Sequence, residues 1–207
     1  MKRNLLSALV LCALGTVACG GEDTTPQQPA VPKFDTADNI RNYLEGKKLV
    51  MEGANIPSHP NGYDEDVNLG QATQCYQKVE MTVTGGNFAV NSVVGTLRDA
   101  PTVGSKGTCD HTVAAGNPLS FTSTAVLIDK VKADATCFDV SFTYPSFKQA
   151  GRGSMSADGK TLTLELYFEN QAVGASCESG AVGSPTVTLN KAPFTGNAQQ
   201  VYTISAQ

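Results

Sequence analysis

The feature that most constrains this chain is a period of two. Across residues 138–144, Phe138, Val140, Phe142 and Tyr144 alternate with Asp139, Ser141 and Thr143. Across residues 161–169, Leu162, Leu164, Leu166 and Phe168 fall on one face, with Thr161, Thr163, Glu165, Tyr167 and Glu169 on the other. Successive side chains of a strand point to opposite sides, so each segment is expected to be a strand with one apolar face. Further strands are expected at 48–52, 74–84, 87–97, 119–128, 153–157, 186–190 and 200–205. Gly85-Gly86 and Asp158-Gly159 mark tight hairpin turns. A strand with one apolar face must bury it against other strands. The sheet therefore has to close on itself or pack on a second sheet. The fold class that follows is all-β: an antiparallel barrel or sandwich of about eight or nine strands. The strands lack an outward apolar band with aromatic girdles, which argues against a transmembrane barrel.

One short helix is expected ahead of the strands, at residues 36–45. Asp35 or Thr36 can cap it, Asp38 suits its positive end, and Gly46 can stop it. Ile40 and Leu44, four apart, share the face that would cover one end of the sheet. After it comes Gly46-Lys47-Lys48-Leu49-Val50. This arrangement resembles the start of a lipocalin, where a short helix leads into a Gly-x-Trp strand. Lys48 stands at the Trp position, and the chain contains no Trp. The resemblance is one of fold, and it implies a barrel that can hold a small apolar ligand inside.

The N-terminus carries a different signal. Lys2 and Arg3 precede an apolar run from Leu5 to Val17 that stops at Gly20-Gly21-Glu22-Asp23. A basic n-region before a short apolar stretch is the layout of a secretory signal, and the run is shorter than the roughly 20 residues of a spanning helix. Its end, Thr16-Val17-Ala18-Cys19-Gly20, resembles the lipobox of bacterial lipoproteins, with Thr16 where leucine is usual. The resemblance implies cleavage before Cys19, lipid on that cysteine and anchoring in a membrane. Gly20, rather than Asp, after the cysteine favours the outer membrane by the enterobacterial rule. Cleavage would remove 18 of the 207 residues and leave 189, with the formal charge moving from −4 to −6 as Lys2 and Arg3 are lost. The expected organisation is a signal peptide at 1–18, a lipid anchor and disordered tether at 19–33, and a single β domain at 34–207. Pro26, Pro29, Pro32 and the polar residues between them suit the tether. An acidic domain argues against nucleic acid as a partner.

Four cysteines would remain beside the lipidated one: Cys75, Cys109, Cys137 and Cys177. An even number in an exported domain reads as two disulfides. Their spacings of 34, 28 and 40 residues are too wide for a zinc site. Three pairings are open, and the sequential one, Cys75–Cys109 with Cys137–Cys177, closes the shortest loops.

No catalytic or cofactor motif is present. There is no G-x-S-x-G. His59 and His111 are the only histidines, and Asp110 and His111 as strand neighbours would point apart. Asp158-Gly159-Lys160-Thr161 ends like a P-loop but has Ser154 where the first Gly belongs. Asp64-Glu65-Asp66-Val67-Asn68 starts like a calcium loop. However, Leu69 and Cys75 fill the positions that need Gly and Glu, so an EF-hand is excluded. A looser calcium site at Asn61, Asp64, Asp66 and Asn68 stays open beside the plainer reading of a solvated acidic loop. Residues 53–70 form a long polar loop of the kind that carries recognition on β scaffolds. The expectation is thus a non-enzymatic binding or protein-interaction module at the envelope, without cofactor. The alternative is a lipocalin-like carrier of a small apolar ligand. The two differ in whether the large inward side chains fill a closed core or line a cup.

Overall fold

The computed structural model describes residues 31–53, 75–98, 108–168, 176–178, 180, 184–189, 192–194 and 199–207; at 97, 108–109, 184–189 and 192–194 only the backbone is described. Helix α1 spans Ala37–Leu44. Thr36 caps it by accepting a hydrogen bond from the Asn39 N–H at 3.1 Å, and Ile40 and Leu44 are its buried residues. The Glu45 carboxylate then accepts from the Gly85 and Gly86 N–H groups at 2.7 and 3.0 Å. The Tyr43 hydroxyl donates to the Gly159 carbonyl at 3.0 Å. The helix is therefore fastened to two hairpin turns at one end of the sheet. Both turn glycines, Gly85 and Gly86, have positive φ (59° and 75°), the backbone that a two-residue turn between twisted strands requires.

The strands are β1 (Lys47–Glu52), β2 (Tyr76–Thr84), β3 (Asn87–Arg98), β4 (Thr108–Ala114), β5 (Leu119–Thr122), β6 (Ala125–Asp129), β7 (Phe138–Thr143), β8 (Lys148–Met155), β9 (Thr161–Phe168), β10 (Ser184–Leu189), β11 (Ala192–Phe194) and β12 (Gln200–Ala206). Nine of them form one curled path in the order β4-β3-β2-β1-β12-β9-β8-β7-β6, a half-barrel, while β10 and β11 make a separate hairpin. Every pairing is antiparallel. The all-β expectation holds, with its short N-terminal helix.

The two ends of the path meet through β5. The sequence 119–128 reads as a single strand, but it is bent at Ser123-Thr124. Its first half pairs with β3, Val90 opposite Phe121, and its second half with β7, Val126 opposite Phe142. The Ser123 N–H donates to the Phe88 carbonyl at 2.9 Å, and the next N–H, of Thr124, donates to the Thr143 carbonyl at 2.7 Å. The Ser123 hydroxyl also accepts from the Phe88 N–H at 2.8 Å. One strand is thereby handed from one neighbour to the other, and the half-barrel is carried round into a ring. Phe88 and Phe142 meet across the seam, edge to face, with centroids 5.2 Å apart.

The core lies inside this ring. Leu49 and Met51 of β1, Val79, Met81 and Val83 of β2, Phe138 and Val140 of β7, and Leu162 and Leu164 of β9 are all buried there, as the alternation demands. On β8 the inward positions are Gly151, Gly153 and Met155. A Cβ at Gly153 would sit 2.6 Å from the Phe138 ring, so that glycine is what lets the ring lie against the strand. Among the cysteines, Cys137 and Cys177 form a disulfide with Cα atoms 5.7 Å apart, which is half of the sequential pairing. Cys75 is buried and also disulfide-bonded, whereas the Cys109 side chain lies outside the described residues.

Candidate binding cavity

Beyond the packed core, away from the helix, the ring encloses a cavity of about 470 Å³. Its residues come from β2, β3, β5, β7, β8, β9 and β12, and from the loop between β7 and β8. Cavities of several hundred Å³ are the size class that holds small ligands. Why space remains follows from the inward positions. Ser92 stands on β3 where the neighbouring inward residues are the larger Phe88 and Val90. The large residues opposite, Leu164, Leu166 and Phe168, therefore line a space and do not fill it.

One wall is aromatic. Phe121 lies edge-on to Tyr144 at 5.0 Å and to Phe147 at 5.6 Å. Tyr144 and Phe147 are 4.5 Å apart, and Phe147 meets Phe168 at 5.7 Å. Phe147 reaches this cluster because the loop is short: the Tyr144 N–H donates to the Phe147 carbonyl at 2.9 Å. The opposite side is polar but neutral. The Tyr202 hydroxyl donates to Gln200 Oε1 at 2.7 Å, and Tyr76 is hydrogen-bonded to the Gln200 side chain. Burial pushes the Tyr202 hydroxyl far above its ordinary pKa, with Tyr76 and Tyr144 adding to the effect. Burial likewise raises Tyr76, partly offset by Gln200, and raises Tyr144. These phenols are uncharged hydrogen-bonding groups at any physiological pH. Among the described residues that line the cavity, none carries a formal charge.

A second polar cluster lies on the outer face of β8 and β9. Arg152 Nε donates to Glu165 Oε2 at 2.9 Å, and the Tyr167 hydroxyl donates to Glu165 Oε1 at 2.6 Å. Glu165 is 0% exposed and Tyr167 1%. The alternation assigns both to a polar, outward face, and outward they are, but not to solvent. Burial first, then the Glu165 carboxylate, push the Tyr167 hydroxyl far up. Nothing in the sequence distinguishes these two residues from the half-buried Thr163.

The other candidate residues fare unequally. Asp110 and His111 are neighbours without being partners. The Asp110 carboxylate accepts from the Thr112 N–H and hydroxyl and pairs with Arg98. These contacts, the Thr112 hydroxyl first, hold it at about 2. His111 Nδ1 lies 2.8 Å from the Tyr76 carbonyl. Among the described residues no group of three or more His, Cys, Asp and Glu is placed to hold a metal ion. Cys19, His59 and the calcium candidates Asn61, Asp64, Asp66 and Asn68 lie outside the described residues, as does nearly all of the 53–70 loop. The chain matches no known protein family, no characterised protein and no solved structure.

Proposed function

We propose that this protein is a lipid-anchored envelope carrier that holds a small, largely apolar molecule inside its barrel. The observation that carries this reading is the cavity of about 470 Å³, with an aromatic wall and no charge among the described residues that line it. Apolar pockets with a few placed polar groups are the usual form of small-molecule sites. A protein-interaction module, the first expectation from sequence, needs no such space. It rests on the 53–70 loop, whereas the carrier rests on described geometry.

The test uses the chain from residue 31 onward, which forms one compact unit containing the whole core. Folded under oxidising conditions, it should release a bound small molecule in native mass spectrometry, or take up the neutral fluorophore N-phenyl-1-naphthylamine. Leu166→Trp puts a larger side chain into the cavity and should weaken that uptake at least about tenfold without unfolding the chain. A domain that carries nothing and takes up no apolar probe would remove the carrier reading.

The anchor is a separate part of the proposal and rests on the lipobox-like residues 16–20. More than one acyl chain is needed for stable anchoring, since each buried methylene contributes only about 0.8 kcal/mol. Cys19→Ala in the full chain should abolish acyl labelling and partitioning into detergent. Wild-type partitioning of that variant would place the anchor elsewhere.

A further inference from the structure

The cavity wall contains two hydroxyls that the protein leaves without partners. Tyr144 is 5% exposed and Ser92 6%, and both line the cavity. Neither side-chain oxygen hydrogen-bonds to any residue in the described structure, nor is either sealed away from the cavity. Elsewhere in the lining the Tyr202 hydroxyl donates to Gln200 Oε1, and Tyr76 has the Gln200 side chain beside it, while Ser146 is exposed and Gln149 half-buried. The Tyr144 and Ser92 hydroxyls are on deeply buried residues yet open to the cavity, so a ligand atom placed there can accept a hydrogen bond from each.

Their placement says more. Phe121 of β5 lies between them. Its ring is 5.0 Å from that of Tyr144, and its strand pairs with β3 so that Val90 is opposite Phe121 and Ser92 opposite Leu119. The aromatic wall thus carries a donor on either side. Aromatic faces and edges favour flat, unsaturated partners. A buried carboxylate or ammonium would find no counter-charge here and would be strongly disfavoured.

Resting on the carrier reading, we propose that the cavity selects an uncharged, flat, unsaturated molecule bearing a carbonyl or ether oxygen, which accepts hydrogen bonds from Tyr144 and Ser92. Anionic amphiphiles such as free fatty acids are excluded by the same wall.

The test is displacement of N-phenyl-1-naphthylamine from the chain beginning at residue 31 by three competitors of one shape. These are 2-acetylnaphthalene (ketone), 2-ethylnaphthalene (hydrocarbon) and 2-naphthoate (anion). Tyr144→Phe should weaken the ketone about three- to tenfold, the worth of one neutral hydrogen bond, and leave the hydrocarbon within about twofold. Ser92→Ala should act in the same direction. Neither variant should melt below the wild type, because neither hydroxyl bonds to the protein among the described residues; this keeps loss of binding distinct from loss of fold. In the wild type, 2-naphthoate should compete at least about 100-fold more weakly than the ketone. Equal weakening of ketone and hydrocarbon by both variants, or a naphthoate that competes as well as the ketone, would overturn the proposed selectivity while the carrier stands. Failure of the fluorophore itself to bind the wild type would overturn the carrier and the selectivity together.

Discussion

Arg152→Met is expected to destabilise the barrel by about 3–5 kcal/mol, the usual consequence of removing one member of a buried ion pair. Glu165 is fully buried on the outer face of β9, and Arg152 and Tyr167 are the groups seen to satisfy its two oxygens. Without the guanidinium, the buried carboxylate loses the charged partner that faces it from β8. The melting temperature should fall by roughly 10 °C for a domain of this size. Arg152→Met combined with Glu165→Leu should recover most of the stability, because an apolar pair of similar volume has no charge to desolvate. Thermal melts at neutral pH decide the matter. A single variant that melts within about 1 °C of wild type would show that the ion pair contributes nothing.

The second large effect is expected from the disulfide. Cys137 and Cys177 are 40 residues apart in sequence, and releasing a loop of that size should cost about 4 kcal/mol in the chain-entropy model. The bridge ties the segment after β9 to the start of β7. Around it, the Cys177 N–H donates to Asp139 Oδ1 at 2.8 Å, and Lys130 spans Glu178 and Asp139 at 2.8 and 3.4 Å. The Lys130 pairs are exposed and add little, so the covalent link should dominate. The double variant Cys137→Ser/Cys177→Ser, which leaves no odd thiol of this pair, should show a lower urea midpoint and a steeper slope as the unfolded chain opens further. An unchanged midpoint would mean that the folded segment gains nothing from being closed.

How far the fold can be read from sequence depends on whether residue type and position agree. They agree at 138–144 and 162–168, where large apolar residues alternate with polar ones, and at Gly85-Gly86, where the turn needs its glycines. They disagree on β8. Lys148, Gln149, Gly151 and Gly153 have neither apolar character nor strand propensity, so only the end of that strand is recognisable, at 153–157. Gly153 of that strand makes room for the Phe138 ring, which nothing in the local sequence announces. Strand β4 is missed because Asp110, His111 and Thr112 carry no apolar alternation. The bend at Ser123-Thr124 has no Gly or Pro to announce it; its cause is the two neighbouring strands, β3 and β7, which claim successive N–H groups. Glu165 and Tyr167 show the limit of alternation itself, since period two assigns a face to a side chain but not whether that face is covered. The candidate site follows the same division. Leu164, Leu166 and Phe168 are recognisably inward, but whether they fill or line the interior depends on Ser92, far away in sequence.

The pairing of β1 with β12 carries a consequence for how the protein is made. Lys47 lies opposite Ala206 and Val50 opposite Thr203, so the first strand of the ring is completed by the last. A chain synthesised N-terminus first must present β1 with one edge unsatisfied until residues 200–206 arrive. Contacts this distant in sequence form slowly, and an unpaired strand edge is a template for association with other chains. The interval between arrival of β2 and arrival of β12 is therefore the period in which this protein is most exposed to misassembly. Its folding yield should be governed by how well that one edge is shielded during this interval, more than by the stability of the finished barrel.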